Sequence, residues 1–598
     1  MKKPSVFTLF LALSLIELQA QWTANTRLNT LITDTNGRMG NTMIALDEGT
    51  GAGYISWDGY FQQNYQFRFM LTRINKEGVK VWGNDYLVVN SYPTDISDTY
   101  YGLISDDDSC AVLVNRDRRT GYSNAWAWRI SPNGAFLWGE DGLPMTQNAD
   151  PEVDISCMNV VQLKDGHYIF GWTIEELIQD SVMGDHMKST IFLQKVSKDM
   201  TVLWNQPVVL ENDSISYFLL NYKINPTRDG GFILLFEGAT RVPVQGGTFL
   251  KQYSNLYLQH FDSDGNYLWP NTLTLDKNEF LPVGPIHART LMDENDHTTV
   301  IWASAFGAFP KNKIQKIDPN GNILFGEHGR YFIIDDYPHD SPEGAINPLD
   351  QSTTVYWSEY DPAGSARFRV MAQRFSITGE PLWGDQGKTL IPFVQDTMFS
   401  VSGAASLPDG SSIVPFIKGK SGPVPKTFLF AMRVNSTGSF VWDPPFTAIS
   451  DTLSGKYDIT MSSFTNGEAV LVWSDARKDT SIGLDQSSDI VAQNILETGK
   501  VGPLSIPEPA PSPGNLFFLY PNPATSGSFV MGCFPDGSDA RISVYNALGR
   551  LVFLSPDVIR GSRGTCSVLI ETTGLSPGLY TIMAASAGQT AVGRLIIR

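Results

Sequence analysis

Along residues 314–329, IQKIDPNGNILFGEHG, apolar and polar positions alternate on either side of a Pro-Asn-Gly turn, and the second apolar run ends on an aromatic residue and a glycine. This pattern predicts two short antiparallel strands joined by a tight turn. Near-copies recur as LTRINKEGVKVWG, AWRISPNGAFLWG, LQKVSKDMTVLWN, LQHFDSDGNYLWP, AQRFSITGEPLWG, AMRVNSTGSFVWD and AQNILETGKVGP. Their turn glycines are Gly78, Gly134, Gly265, Gly321, Gly379, Gly438 and Gly499, with Met200 in the third copy. The period of about sixty residues marks a repeat array. A further hairpin precedes the copies, as in LKDGHYIFGW, TRDGGFILLF, LPDGSSIVPF and FTNGEAVLVW, where Asp-Gly or Asn-Gly supplies the positive φ of a tight turn. Each unit therefore predicts four short antiparallel strands, A to D, with Asp-Gly joining A to B and Pro-Asn-Gly joining C to D. A sheet of that size is marginal alone and must stack on its neighbours.

The tryptophans fit this scheme. Trp82, Trp138, Trp204, Trp269, Trp383 and Trp442 end strand D, with Phe325 in the fifth copy, and Trp57, Trp172, Trp302, Trp357 and Trp473 end strand B. An aromatic ring at a fixed place in each sheet is expected to be a packing wedge. Radially stacked sheets close into a propeller, which protects their edges. The eighth copy stops at GKVGP without an aromatic residue, while TRLNTLITD, residues 26–34, resembles the segment that comes after strand D in other copies. The N-terminal segment is thus expected to complete the last sheet. The fold reading is all-β: an eight-bladed β-propeller over residues 21–502, with seven blades as the fallback.

Variable loops on a rigid frame are the usual place for binding. The B-to-C loops offer Tyr60, Phe61, Arg116, Arg118, Arg119, Tyr122 and Tyr360 as contacts for a glycan or peptide, against the plainer reading of solvated loop tips. G-x-S-x-G, H-E-x-x-H and C-x-x-C do not occur, and GDQGKT at 384–389 has Leu382 where a phosphate loop needs its first glycine. DSDGN at 262–266 coincides with the recurring C-to-D turn, so its oxygens are assigned to the turn and not to calcium. No catalytic residue, metal ligand or cofactor is expected.

Charge narrows the partners. Sixty-two acidic against 44 basic side chains give a net charge of -18, which disfavours nucleic acid and anionic membrane surfaces. MKKPSVFTLFLALSLIELQA reads as a secretory signal cut between Ala20 and Gln21. Its apolar run is too short for a bilayer span, and no later segment is long and apolar enough, so no transmembrane anchor is expected. The chain has four cysteines: Cys110 and Cys157 lie in apolar strands and read as buried thiols, while Cys533 and Cys566 admit a bridge.

After residue 502 the proline-rich stretch PLSIPEPAPSPG begins a linker, 503–517, and beyond it short strands predict a small immunoglobulin-like sandwich over 518–598. Pro521-Asn522-Pro523, Tyr545-Asn546, Gly549, Gly578 with Tyr580, and Arg594 occur there in an order and spacing that resemble the type A C-terminal sorting domain of the type IX secretion system of Bacteroidota-type bacteria. The resemblance implies passage through the periplasm to the cell surface or medium, with the secretion machinery and a surface sortase as partners. The body resembles uncharacterised propeller repeats common among cargo of that system. The first functional expectation is a secreted or surface non-catalytic propeller that binds an extracellular glycan or protein through its variable-loop face. The alternatives are an extracellular polysaccharide hydrolase or lyase, and a structural surface protein or adhesin. Paired acids converging on the central channel would favour the hydrolase.

Overall fold

The computed structural model describes residues 22–597 apart from 35–36, 62–65, 84–85, 93–100, 180–185, 211–217, 244–249, 279–287, 307–308, 363–366, 421–425, 479–486, 504–517, 521–523, 525–528, 536–540, 547–549, 555–564, 573 and 587–588. The signal segment, the Ala20–Gln21 cut, Pro521-Asn522-Pro523 and Gly549 lie outside the described residues, as does almost all of the linker. Every element among the described residues is a strand, and the chain forms two compact units, Met1–Leu504 and Ser505–Arg598.

The first unit is a succession of small antiparallel sheets. Sheet 1 pairs Arg38–Leu46, Gly53–Phe61, Gln66–Ile74 and Leu87–Asn90 in chain order. The same meander recurs over 102–144, 153–210, 218–278, 289–331, 339–395 and 398–454, here called sheets 2 to 7. Sheets 3 and 4 also meet through one parallel bridge, Ser189 to Phe218. Sheet 8 takes Lys456–Met461, Glu468–Asp475 and Asp489–Leu496, and its fourth strand is Thr30–Thr33 from the start of the chain, with Thr30 opposite Ala492.

Apolar residues on both faces of each sheet build a core with the next one. Sheets 1 and 2 share Leu71, Trp82, Leu113 and Trp128; sheets 4 and 5 share Leu235, Trp269, Val300 and Trp302; sheets 7 and 8 share Leu429, Trp442, Leu471 and Trp473. Sheet 8 in turn shares a core with sheet 1 through Trp22, Ile32, Ile55, Trp57 and Val472. The hydrophobic effect thus joins the last sheet to the first as it joins every other pair.

The repeated aromatic residue, expected at the end of strand D, stands instead in the connection ahead of the fourth strand, as Trp82 does before Leu87–Asn90 and Trp442 before Phe446–Ser454, and it has a specific seat. Trp442 lays its ring over the C-to-D turn of the following sheet, where a Cβ on Gly499 would fall 2.8 Å from the indole, and its Nε1–H donates to Glu497 O at 2.9 Å. Trp82 and Trp269 repeat the donation to Pro132 O and Pro319 O. At Gly499 the glycine thus serves twice, by its positive φ and by its absent side chain, whereas Met200 holds the equivalent turn of sheet 3 at a φ of 70°. Sheet 8 has no strand-D aromatic of its own, and Trp22 takes the place: its Nε1–H donates to Lys76 O at 3.0 Å, and a Cβ on Gly78 would fall 2.4 Å from its ring.

The second unit holds a three-stranded sheet ordered Phe518–Tyr520, Phe529–Pro535, Thr565–Glu571, and a four-stranded sheet ordered Leu551–Leu554, Arg541–Asn546, Gly578–Ser586, Gln589–Ile597. Tyr580 is buried and donates its hydroxyl to Ser576 O at 2.7 Å, and Asn546 Oδ1 accepts from the Arg550 amide at 3.0 Å. Arg594 pairs with Thr581 in the ladder. Cys533 stands opposite Ser567 and Cys566 opposite Phe534; the bridge itself concerns side chains outside the described residues.

Candidate functional site

The two ends of the sheets in the first unit use their polar residues differently. At the A-to-B and C-to-D turns, a cation on strand C pairs with an acid in the A-to-B turn of its own sheet: Arg129 with Asp106 at 2.8 Å, Lys195 with Asp165 at 2.7 Å, Lys316 with Asp293 at 2.8 Å, Arg374 with Asp350 at 2.5 Å and Arg433 with Asp409 at 2.8 Å. Several of these cations also donate to a carbonyl of the next sheet, as Arg433 does to Glu497 O at 2.8 Å. Burial works against the charge of Asp409, but hydrogen bonds from Ser411 and the Arg433 guanidinium hold its carboxyl below the usual range. These groups are spent on the frame.

The opposite end carries the B-to-C loops and most of the residues singled out from the sequence. In sheet 2 the arginines are largely committed. Arg116 is buried, 2.7 Å from Asp154, and donates to Ile155 O. Arg118 stands 3.9 Å from Asp154. Arg119 pairs with Asp117 at 2.6 Å, with its guanidinium 4.0 Å from the Tyr92 ring centre and 3.9 Å from that of Trp126. Tyr122 is half-buried, and Tyr60 is half-buried with its ring 4.9 Å from Phe67. The Phe61 side chain lies outside the described residues. Tyr360 is exposed and belongs to sheet 6, so the seven candidates do not form one site.

Sheet 6 holds a denser grouping than the sequence indicated. Tyr337 and Phe393 lie 4.8 Å apart, and the Arg369 guanidinium is 4.6 Å from the first ring and 4.8 Å from the second. Arg367 stands 5.5 Å from Phe393, and the Tyr360 ring lies 6.0 Å from that of Phe368, tilted by 40°. Beneath this rim Asp335, His339 and Glu359 present ligand-type atoms within 4.8 Å of one another. Lys311 sits 2.5 Å from Asp335, Arg369 sits 2.8 Å from Asp335, and Arg369 also pairs with Glu359. Two cations already meet the two carboxylates, so the cluster fits an internal ion network better than a metal site. Burial pushes Glu359 up to about 7, with Arg369 opposing.

A second grouping lies on the first strands of neighbouring sheets, a region here called the centre of the unit. Several of these strands bulge: the ladder slips between Gly40 and Met43, between Ser156 and Asn159, between Asp340 and Glu343, and between Tyr457 and Thr460. At three of the slips a non-glycine residue takes positive φ, namely Asn41, Cys157 and Asp458. Bulges re-aim side chains. Asn41 donates its main-chain N–H to Asp458 Oδ2 at 2.8 Å and its side-chain amide to Asp58 Oδ2 at 2.5 Å. Tyr101 donates its hydroxyl to Asn41 O at 2.5 Å and lies 2.9 Å from the Ser56 hydroxyl. A cavity of about 200 Å³, lined by Arg289, Glu343, Ser402, Lys456 and Asp458 among others, draws on the first strands of four successive sheets. Burial pushes the Asp58 carboxyl up to about 7, with the Asn41 hydrogen bond opposing and Asp458 adding to the rise. Burial also raises Glu343, against its ion pair with Arg289 at 3.3 Å.

Asp58, Asn41 and Asp458 escaped the sequence reading, although Asp58 opens the loop segment that contains Tyr60 and Phe61. No spacing rule links it to a residue 400 positions away in sequence number. Tyr337 and Phe393 were missed because they lie on the D-to-A connection and strand D, outside the B-to-C loops.

Comparison with known proteins bears on the tail. Residues 518–598 match the family described as secretion system C-terminal sorting domain. The chain carries a type IX sorting tail. The tail marks the protein for the cell surface or the medium and for handling by the type IX secretion machinery. No helix among the described residues is long and apolar enough to cross a membrane. No curated protein matches the chain. Among solved structures it is similar to a puromycin-hydrolyzing peptidase of Mycobacterium tuberculosis, at 11% identity and TM-score 0.39, over 76% of this chain and 61% of that one. It is also similar to prolyl oligopeptidase B of Galerina marginata, at 12% identity and TM-score 0.36, over 84% of this chain and 57% of that one. Polysaccharide lyase Uly1 aligns at 11% identity and TM-score 0.37, over 81% of this chain and 94% of that one. The chain spans less than two thirds of the length of the first two. At these TM-scores the likeness says nothing of what the chain does.

Proposed function

We propose that the body is an eight-bladed β-propeller, residues 21–502, followed by a linker at 503–517 and an immunoglobulin-like sorting domain. It is made with a signal peptide cut after Ala20, exported in a Bacteroidota-type cell and separated from its tail by a surface sortase acting in the linker. Outside the cell it binds an extracellular glycan. The observation that carries this reading is the rim of sheet 6, where Tyr337, Phe393, Tyr360 and Phe368 stand among Arg367 and Arg369. Aromatic faces take the apolar faces of sugar rings, and polar groups beside them take the hydroxyls. The arginines are balanced by Asp335, Glu359 and Asp361, and the chain as a whole is at -18, so a neutral polysaccharide suits the rim better than a polyanion.

Two measurements test the reading. Removing residues 518–598 leaves the body in the periplasm; the truncated chain in the medium at the full-length amount would refute the export route. Calorimetric titration of the full chain with laminarin, xyloglucan, arabinan and galactomannan gives saturable binding to at least one, abolished by replacing Tyr337 and Phe393 together with alanine. Undiminished binding in that variant would place the ligand elsewhere.

A further inference from the structure

The sorting tail buries one face of its four-stranded sheet and leaves the other apolar as well. On Gly578–Ser586 and Gln589–Ile597 the buried residues are Tyr580, Ile582, Leu595 and Ile597, and on Arg541–Asn546 they are Ile542 and Val544. Side chains alternate along a strand, so Leu579, Thr581 and Ile596 belong to the opposite face. The ladder adds Tyr545, which stands opposite both Thr581 and Leu551, and Leu554, which stands opposite Ser543. Leu551, Leu554, Leu579 and Ile596 are 42–48% exposed, where the outer face of an antiparallel sheet is ordinarily polar. In the first unit exposed aliphatic side chains such as Val81, Leu137 and Val441 stand one to a turn. Here four share one sheet face, and Leu579 is the ladder partner of Ile596.

The two edges of this sheet also differ. At Gln589–Ile597 the Ala524 amide donates to Ile596 O at 2.8 Å and Ala524 bridges Ile597, so that edge is covered. Leu551–Leu554 pairs with Arg541–Asn546 on one side and, among the described residues, with no strand on the other. This edge is four residues long and its ladder slips between Val544 and Tyr545, two features that hinder pairing with a second copy. What it presents is side chains, since Leu551, Val552 and Leu554 are all exposed. Exposed apolar side chains gathered in this way mark a contact surface. Residues 518–598 contain no lysine and the side chains named on this face carry no charge, which suits an apolar protein surface better than an anionic lipid headgroup.

We propose that this face, around Leu551, Leu579 and Ile596, is where a protein component of the type IX secretion machinery docks through an apolar surface of its own. The tail is handled by that machinery, so the machinery supplies the partner. The inference rests on the export reading of the tail, which removal of residues 518–598 tests by itself.

The test uses the full chain in a cell with a type IX system. The photo-crosslinker benzoylphenylalanine replaces Leu551, Leu579 or Ile596 in turn, with the exposed Leu349 of the first unit as control, and adducts formed during export are identified by mass spectrometry. One and the same secretion component is expected at the three tail positions and not at Leu349. Adducts only with a second copy, with lipid or with a protein outside the machinery, or none at all, would overturn the proposal. Independently, Leu551→Thr, Leu579→Thr and Ile596→Thr together should cut the exported amount about tenfold or more and leave the chain in the periplasm. Leu551→Val, Leu579→Met and Ile596→Val together keep the face apolar and should stay within about twofold of the wild type. Threonine suits a strand, and resistance of the tail to trypsin verifies its fold; should the tail of the threonine variant be digested, the cross-links decide. Wild-type export of the folded threonine variant would overturn the docking face. If removal of residues 518–598 also left export unchanged, the export reading itself would fall.

Discussion

The turn end of the first unit and its centre treat the same chemical groups in opposite ways. At the turns each buried cation has an acid in its own sheet and often a carbonyl in the next, so Arg433 bonds Asp409, Ser411 and Glu497 while the acid stays charged. At the centre Asp58 accepts from the Asn41 amide and sits near a second acid, and burial raises its carboxyl against that bond and the nearby Arg38. Sheet 8 is an internal control for this contrast. Its strand C places Asn494 where other sheets place Arg, Lys or His, and Glu468, bonded to that amide at 2.6 Å, is pushed by burial up to about 7. Depth and partner act together: the half-exposed Asp409 beside Arg433 goes down, while the more deeply buried Asp58, Glu468 and Glu359 go up, the last in spite of its Arg369 partner.

The largest effect on the frame should come from breaking its seam. Trp22→Ala removes the ring seated over Gly78 and its bond to Lys76 O, leaving a cavity between sheets 8 and 1. The cost is about 3–5 kcal/mol, read as a fall in the urea midpoint of the full chain. An unchanged midpoint would mean that the first segment does not hold the last sheet. Arg433→Ala should cost less, about 2–3 kcal/mol, because Asp409 can turn to water while Ser411 and the Glu497 carbonyl lose a donor. At the rim, Phe393→Ala should leave stability nearly unchanged and weaken glycan binding about tenfold, equal to about 1.4 kcal/mol. A loss of stability comparable to that of Arg433→Ala would mean that the rim also belongs to the frame.

Much of the turn end was legible in the sequence, because a repeat writes the same local rule many times. Gly78, Gly134, Gly265, Gly321, Gly379, Gly438 and Gly499 all take positive φ, and Met200 takes it too at 70°. Trp82, Trp138, Trp269 and Trp442 are buried between sheets and Trp204 and Trp383 are half-buried, all of them ahead of the fourth strand rather than at its end. Trp22 was not legible: it precedes the first strand, and only the pairing of Thr30–Thr33 with Asp489–Leu496 brings it to the place the eighth copy leaves empty. Arg116 and Arg119 looked available because a loop sequence does not reveal that Asp154 and Asp117 will fold against them. The central acids are less legible still, since their meeting depends on bulges at Asn41 and Asp458 in sheets built from opposite ends of the chain.

The smallest effect is also the one that separates the two regions by sign. Asp409 has its carboxyl lowered in the folded chain, so its contribution is present above the unfolded value of 3.8 and is lost as pH falls through the folded one. Asp58 and Glu359 have theirs raised to about 7, so the folded chain holds protons that the unfolded chain has released. Their contribution is full below the unfolded values of 3.8 and 4.5 and declines as pH rises toward 7. Urea midpoints of the full chain should therefore be higher near pH 5 than near pH 8, and should fall again below pH 4. Glu359→Gln should flatten only the neutral limb and Asp409→Asn only the acid limb. If Glu359→Gln instead altered the acid limb, its carboxyl would be charged in the folded chain, and the ion network with Lys311 and Arg369 would belong with the turn-end pairs rather than with the centre.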